Sequence, residues 1–300
     1  MVKAWMQNRD DFENENSLVG YLSSQLSRGR LSLVLGAGVS TAFGMPDWPG
    51  LLRRLYDEQG IDLPQSYSYA RQAEHLREAC YRDDHGGFAA AVRTALYRDV
   101  DASFEQLRSN GTIAAIGSLV MASCRGSVSE VITFNWDNLL ELFLAYHGFV
   151  VNSVHSEQHW GGAEDVTVLH PHGYIPVAAD EPSSSEIVFD QLSYSSVIGD
   201  STRPWRQRLL SIMRTHTCLF IGLSGDDPNL DSLLVACQPE HASLREHTAF
   251  WGVRFTDSND AVEAGFWERR GVFCHAVSDY ITALPNFLFL ICQEAARKRF

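Results

Sequence analysis

Glycines follow an apolar run early in the chain. The run LSLVLG at 31–36 continues as GAG at 36–38, and the chain then reaches GMPD at 44–47. Glycine has no Cβ atom, so the main chain can approach a ligand closely there, and a helix that follows presents unpaired N–H groups to an anion. This pattern favours a phosphate-binding loop, although a tight turn would use glycines in the same way.

The loop departs from the two common phosphate-binding motifs. A dinucleotide fingerprint would need a third glycine where the chain has Thr41, and a P-loop would need Gly-Lys-Ser or Gly-Lys-Thr, which is absent. The acidic pair Asp57 and Glu58 lies about 20 residues further on, but within a helical pattern rather than at the end of a second strand. We interpret this pair as part of a solvated helix face.

Polar side chains also stand where a second apolar run gives way to a helical pattern. The segment TFNWDNLLE at 133–141 places Thr133, Asn135 and Asp137 at this junction. Ligands of open α/β sheets bind at the carboxyl ends of the strands, so these residues are candidates for a binding site. Asp137 or Thr133 could also cap the following helix, because Asp and Thr are favoured at that position.

A third strand end carries two histidines. In LHPHGYIP at 169–176, His170 and His172 are two positions apart. Such a pair could indicate a metal ion, but neither a cysteine nor a third histidine with ligand-like spacing lies nearby, so we predict no metal. A histidine at this place could instead act as a general base near neutral pH.

The elements that would position these residues alternate along the chain. Apolar residues at helical spacing predict crossover helices at 137–148 and 203–216, and short apolar runs predict strands. This alternation predicts an α/β fold, a Rossmann-like, doubly wound parallel sheet. The stretch 51–125 has no comparable strand and shows helical patterns at 69–84 and 88–100, which indicates a helical insertion. The predicted strands are 31–36, 128–134, 166–170, 216–222, 247–253 and 271–277.

Composition limits the class of protein. The 300 residues carry a formal net charge of −13 and show no basic stripe, which argues against a nucleic-acid-binding surface. The apolar runs are shorter than a membrane helix needs, and the six cysteines are scattered, with no C-x-x-C pair and no secretory signal. With 45% hydrophobic residues the chain can bury a sizeable core, so we expect one cytoplasmic domain over 1–300 with the helical insertion at about 51–125.

Four motifs follow one another along the chain. They are GAGVS at 36–40 with GMPD at 44–47, TFNWD at 133–137, His172-Gly173, and FIGLSGDDPNL at 220–230. Together they resemble the sirtuin superfamily, and in particular the SIR2-like domains of bacterial anti-phage defence proteins. The segment IVFDQLSYSSVI at 187–198 is also similar to that family, so the resemblance covers the chain from about Leu31 to Leu230.

Two departures separate this chain from the sirtuin deacylases. Those enzymes carry Phe-Arg after Pro-Asp, where this chain has Trp48-Pro49. They also carry four zinc cysteines after the His-Gly motif, whereas this chain has no cysteine between His172 and Cys218. SIR2-like defence domains commonly lack both features and are NAD⁺ hydrolases. The resemblance therefore implies a sirtuin-like core with no zinc module, with NAD as the substrate and no metal.

Cleavage of NAD⁺ at the nicotinamide ribose builds an oxocarbenium-like centre, and the residue types of the motifs suit this chemistry. Asn135 could orient water or ribose hydroxyls, His172 could act as general base, and Asp137 could accept a hydrogen bond from the carboxamide. Asp226 and Asp227 are expected to begin a helix and are left out of the site. The NAD-binding residues that the resemblance implies are Gly36, Ala37, Gly38, Ser40, Pro46, Asp47, Trp48, Thr133, Asp137, Gly222 and Ser224.

We therefore expect an NAD⁺ glycohydrolase that depletes NAD⁺ as an effector of phage defence. The alternatives are an NAD-dependent protein deacylase or ADP-ribosyltransferase, and a non-catalytic nucleotide-binding subunit. Control is expected to come from assembly, as a homo-oligomer or with a partner such as a HerA-like ATPase, which accompanies some SIR2-like relatives. The loop 36–50 would be the gate, and Trp48 in this flexible loop could cover the nicotinamide or pack in the core.

Overall fold

Seven parallel strands form one sheet in the described part of the chain. A computed structural model describes residues 6, 8–156, 164–181, 183–184, 187–189, 203–225, 227–244 and 248–297. The strands are β1 (Leu31–Leu35), β2 (Glu130–Thr133), β3 (Val151–Val154), β4 (Val166–Leu169), β5 (Thr217–Ile221), β6 (Gly252–Thr256) and β7 (Val272–Ala276). Their order across the sheet is β3-β4-β2-β1-β5-β6-β7, and every pairing is parallel.

The strand order reverses direction beside the central strand β1. Strands β2, β4 and β3 lie on one side of β1, and β5, β6 and β7 lie on the other. The sheet therefore has its topological switch point between β1 and β5, which is where ligands of doubly wound sheets bind, at the carboxyl ends of the strands. This topology confirms the predicted α/β, Rossmann-like fold.

Strand β1 is buried along its whole length because helices cover both faces of the sheet. Successive side chains point to opposite faces, and accordingly Leu33 packs into one hydrophobic core and Val34 into the other. The neighbouring strands β5 and β6 are buried in the same way. Near-continuous apolar runs are typical of parallel strands with helices on both faces.

Helices pack on both faces of this sheet. On one face α12 contacts both α2 and α7, and on the other face α9 contacts α10. The described chain between β1 and β2 contains α3 to α7, where we predicted the helical insertion. The helices are α1 (Arg9–Glu13), α2 (Glu15–Ser27), α3 (Trp48–Gln59), α4 (Tyr69–Cys80), α5 (His85–Tyr97), α6 (Phe104–Ser109), α7 (Gly111–Val120), α8 (Leu139–Tyr146), α9 (Pro204–Thr215), α10 (Pro228–Leu244), α11 (Ala261–Arg269) and α12 (Ala283–Arg297).

None of the helices in the described residues has both the length and the apolar character that crossing a bilayer requires.

One strand begins later than predicted, and another was not predicted at all. Strand β6 begins at Gly252, whereas we predicted a strand over 247–253. The apolar character of that segment has another cause, because Phe250 packs its ring against Phe12 and Phe273. Strand β3 was not predicted, because this short edge strand is only half-buried and its sequence, VNSV, shows no long apolar run.

Candidate active site

Two glycine-containing loops meet at the switch point, directly after β1 and β5. The N–H of Gly36 donates to the carbonyl of Ile221 over 3.0 Å, and the N–H of Gly38 donates to the carbonyl of Gly222 over 3.0 Å. A Cβ atom at Gly36 would lie 2.5 Å from the Gly222 oxygen, and one at Gly222 would lie 2.6 Å from the Val39 nitrogen. Gly222 also has a φ of +71°, which favours glycine. These glycines therefore allow the two loops to pack directly on each other.

A cavity of about 840 Å³ opens at this edge of the sheet. Its volume lies within the range of about 300 to 1,000 Å³ that is usual for small-molecule and cofactor sites. Its lining includes every predicted site residue except Gly38 and Thr133. The predicted residues in the lining are Gly36, Ala37, Ser40, Pro46, Asp47, Trp48, Asn135, Asp137, His172, Gly222 and Ser224.

Gly38 and Thr133 lie behind the cavity lining. A Cβ atom at Gly38 would lie 2.7 Å from the Cα of Gly222, so this position is filled by the neighbouring loop. Thr133 is the last residue of β2, and its buried hydroxyl accepts a hydrogen bond from the N–H of Asn135 over 3.2 Å. Both residues are therefore placed to support the cavity wall rather than to line it.

Ser40 links Asn135 to Asp137 beneath the cavity. The hydroxyl of Ser40 donates to Oδ2 of Asp137 over 2.7 Å and accepts from Nδ2 of Asn135 over 3.1 Å. Nδ2 of Asn135 also donates to the carbonyl of Gly36 over 3.1 Å. These bonds occupy the amide NH₂ of Asn135, and its Oδ1 has no hydrogen-bond partner among the described residues. The side chain of Asn135 is thus fixed with its oxygen available.

Asp137 contacts the start of a helix and also lines the cavity. Its Oδ1 accepts from the N–H of Leu139 over 3.2 Å, at the first residue of α8, so the expected contact with the start of the helix is present. Burial raises the pKa of Asp137, whereas the hydrogen bond from Ser40 lowers it. The carboxyl group therefore faces the cavity in a largely desolvated setting.

His172 is buried at the end of β4, with 4% of its surface exposed. Its ring packs edge-on against Phe134, with 4.8 Å between the ring centroids. Nε2 lies 3.2 Å from Nδ2 of Asn229 and 3.7 Å from Oδ2 of Asp227. Burial lowers the pKa of His172, opposed by the Asp227 carboxylate and by a hydrogen bond to the backbone of Phe134. The imidazole is accordingly held in its neutral form near neutral pH.

Asp227 and Asn229 line the cavity, and neither is among the residues predicted for the site. Asp227 does cap α10 as expected, because its Oδ1 accepts from the N–H groups of Asn229 and Leu230 over 2.8 and 3.1 Å. The cap uses only one carboxylate oxygen, and the other faces His172. An aspartate before proline is an ordinary helix start, so the available signals are that the segment follows the end of β5 and that both residues lie in the family-like motif at 220–230.

Two sequence predictions lie largely outside the described residues. Asp226 is not described, and neither is 190–202, which contains most of the family-like segment 187–198.

His170 lies behind the site and does not line the cavity. Its Nε2 is 2.5 Å from Oε1 of Glu141, and its Nδ1 donates to the backbone carbonyl of Asn135 over 3.1 Å. Both side chains are buried. The two histidines of the motif therefore have different surroundings, and only His172 faces the cavity.

Trp48 is not in a flexible loop, which corrects our expectation for this residue. It is the first residue of α3, because Oδ1 of Asp47 caps the helix by accepting from the N–H of Gly50 over 2.8 Å and Pro49 stands in the first turn. The supposed gate at 36–50 likewise contains two short 3₁₀ turns and the start of this helix.

An aromatic wall forms one side of the cavity. The ring of Trp48 packs edge-on against those of Trp136 and Phe189, with centroid separations of 5.7 and 4.9 Å. The indole N–H of Trp136 donates to the carbonyl of His172 over 3.0 Å. Trp48 therefore packs in the structure and lines the cavity at once.

Within the described ranges, no three His, Cys, Asp or Glu side chains come together as a metal site would require.

Part of the chain matches a known family model. Residues 129–275, which run from the residue before β2 into β7, match the family model described as SIR2-like domain. This segment, just under half of the chain, is therefore similar to SIR2-like domains, in agreement with the resemblance of its motifs.

Curated relatives share part of their length with this chain. It is 25% identical over 220 residues to NAD(+) hydrolase ThsA of Enterococcus faecium, covering 72% of this chain and 42% of that protein. It is 25% identical over 228 residues to NAD(+) hydrolase ThsA of Acinetobacter baumannii, covering 74% and 42%. The corresponding protein of Bacillus cereus is 21% identical over 206 residues, covering 68% and 39%. The chain thus spans about two fifths of the length of these relatives.

A solved structure described as "Structural Basis for the Mechanism and Regulation of Sir2 Enzymes" superposes with a TM-score of 0.47 at 15% identity. The match covers 94% of this chain and 98% of that one.

Proposed function

We propose that this chain cleaves NAD⁺ at the bond between nicotinamide and ribose, releasing nicotinamide and ADP-ribose. The observation that carries this proposal is that one cavity brings together a neutral, buried His172 and a fixed Asn135 at the switch point of the sheet. The relatives named NAD(+) hydrolase support the same substrate.

The reaction needs a positioned water and a base. Water attacks C1′ of the nicotinamide ribose, the glycosidic bond breaks, and its electron pair neutralises the pyridinium nitrogen as nicotinamide leaves. A neutral leaving group needs little acid assistance, so the main tasks are to orient the water and to remove its proton. Oδ1 of Asn135 would orient the water or the ribose hydroxyls, and Nε2 of His172 would take the proton once the water displaces the Asn229 amide from its lone pair. Asp137 would accept from the nicotinamide carboxamide.

The remaining predicted residues would contact different parts of NAD⁺. We assign the wall containing Pro46, Asp47 and Trp48 to the nicotinamide half. Gly222 and Ser224 follow β5 and would lie nearer the adenosine half. The residues Gly36, Ala37 and Ser40 would approach the molecule with little side-chain bulk, supported from behind by Gly38 and Thr133.

Two other functions would use the same cavity. An NAD-dependent deacylase or ADP-ribosyltransferase would consume NAD⁺ only with a protein acceptor, and a nucleotide-binding subunit would bind it without turnover. Incubation with NAD⁺, with and without an acylated peptide, separates the three. Free nicotinamide and ADP-ribose in the absence of peptide support the hydrolase. Release that requires the peptide, or binding without release, would overturn it.

We also propose that the activity serves anti-phage defence in the cytoplasm and depends on assembly, with further copies of this chain or with a partner such as a HerA-like ATPase. The support is the resemblance to SIR2-like defence domains. Turnover per chain should rise with protein concentration or on addition of the partner, while mass photometry reports a larger particle. A dilute, monomeric chain that already turns over NAD⁺ at the full rate would contradict this control.

A further inference from the structure

Glu141 and His170 form a buried pair behind the candidate site. Glu141 lies in the first turn of α8 and His170 follows the last residue of β4. Their exposed fractions are 7% and 1%, and 2.5 Å separates Oε1 of Glu141 from Nε2 of His170. Neither residue lines the 840 Å³ cavity. The pair is therefore placed to act on the site through another residue rather than on the substrate.

The partners of the His170 ring fix where its protons are. Nδ1 faces the backbone carbonyl of Asn135 at 3.1 Å, and a carbonyl oxygen can only accept, so Nδ1 carries a hydrogen. The 2.5 Å between Nε2 and Oε1 of Glu141 requires a hydrogen between these two atoms, because a lone pair on each would repel. Glu141 thus keeps the Nδ1–H directed at Asn135.

Asn135 is held from several sides at once. Its backbone N–H donates to Thr133, its side-chain NH₂ donates to Gly36 and Ser40, and its backbone carbonyl accepts from His170. Gly36 and Ser40 line the cavity, whereas Thr133 and His170 do not. Removing the contact from His170 would take one hydrogen bond from the backbone of Asn135 and leave the other three in place.

We infer that Glu141 and His170 are positioning residues that orient Asn135 for NAD⁺ cleavage, an inference that rests on the proposed function. Catalysis that depends on orientation is sensitive to displacements below 1 Å, even when the altered residue does not contact the substrate. Loss of the pair should therefore slow the chemical step and leave substrate binding largely intact.

Three variants test this positioning role. In Glu141→Gln the new amide NH₂ can donate to Nε2, so that Nδ1–H stays on Asn135, and kcat should remain within about 2-fold of the wild type. In Glu141→Leu and His170→Phe the contact is no longer supported, and kcat should fall at least about 10-fold with the KM for NAD⁺ within about 2-fold. If Glu141→Leu and His170→Phe keep their kcat while the melting temperature falls, the pair serves packing only. A loss in Glu141→Gln as large as that in Glu141→Leu would also overturn the inference.

A readout without turnover separates this inference from the proposed function. NMR of the isotopically labelled imidazole nitrogens, assigned with His170→Phe, should show a protected proton on Nδ1 in the wild type and in Glu141→Gln. The same proton should exchange rapidly in Glu141→Leu. If the wild type does not cleave NAD⁺, the proposed function fails whatever the spectrum shows. If Nδ1 of His170 carries no protected proton in the wild type, the positioning inference fails even though cleavage is observed.

Discussion

The amide nitrogen of Asn229 lies 3.2 Å from Nε2 of His172 and connects the first turn of α10 to the end of β4. An amide NH₂ group can only donate, so Nε2 accepts and the imidazole is neutral. The direction of the pKa shift agrees, because burial lowers the pKa of His172. Asp227 caps the same helix and brings a carboxylate to 3.7 Å from the ring nitrogen. Burial therefore lowers the pKa of the proposed base, and the start of α10 contributes a carboxylate that opposes this shift.

Replacing Asn135 with alanine should lower NAD⁺ turnover at least about 100-fold, because a positioned polar group next to the reacting carbon would be lost. Nicotinamide release by purified protein measures the effect. Asn152→Ala, on the edge strand β3 and outside the cavity lining, is the matched control and should keep its activity. Thermal melts of both variants show whether the fold is retained. Turnover near that of the wild type in Asn135→Ala would remove this residue from the mechanism.

As the pH is lowered, the activity should fall with a midpoint below pH 6.5, which is the ordinary pKa of a histidine. The folded protein lowers the pKa of His172, so the neutral base persists below 6.5 and is lost only as the pH falls through that lowered value. The same shift favours folding above pH 6.5 and contributes less as the pH falls through the lowered pKa. The pH profile of kcat/KM measures the midpoint, and circular dichroism checks the fold. A midpoint at or above 6.5 would contradict the assignment of His172.

Asn229→Asp and Asp227→Asn should shift the acidic midpoint of the kcat/KM profile, here called the acid limb, in opposite directions. A carboxylate in place of the Asn229 amide favours the imidazolium and should raise the limb by about 1 pH unit or more. Asp227→Asn removes a carboxylate that raises the pKa of His172, so the limb should move to lower pH. Asparagine is also a good N-cap, so α10 should keep its start. Shifts of the same sign, or no shift in either variant, would show that these groups do not set the pKa of the base.

Gly222→Ala should destabilise the protein more than Gly148→Ala. Both glycines have positive φ, but a Cβ atom at Gly148 meets nothing within 4 Å, whereas one at Gly222 meets the backbone of Val39 at 2.6 Å. We expect Gly148→Ala to lower the free energy of unfolding by about 1 to 2 kcal/mol from backbone strain alone, and Gly222→Ala to lower it further. Urea unfolding measures both values. Equal losses would mean that the contact between the two loops is not tight.

Metal removal should leave the activity unchanged. Among the residues that the structure describes, none of the clusters has the ligands that a bound ion needs. Turnover and melting temperature are compared after dialysis against EDTA and after zinc is added back, with a zinc enzyme treated in parallel as the control. A loss that zinc restores, or zinc in stoichiometric amount in the purified protein, would contradict this prediction.

Much of the fold follows from short-range patterns. Strands β1 and β5 have near-continuous apolar runs because they are buried on both faces, and α8 and α9 show apolar residues at helical spacing. The sequence does not predict strand β3, because an edge strand with half-buried positions has few apolar residues. The sequence does not separate a loop from a helix start at Trp48, because glycine and proline neighbours suit both.

The sequence by itself determined which residues follow strand ends, and parallel pairing necessarily brings those ends to one edge of the sheet. This is why the motifs around Gly36, Asn135 and His172 predicted members of a single cavity. The contacts of Asn229 with His172 and of Glu141 with His170 were decided only by the tertiary structure. Their partners are separated by 57 and 29 positions, and each also has an ordinary local explanation as part of a helix start. Their roles depend on which strand lies beside which, and no local pattern encodes that order.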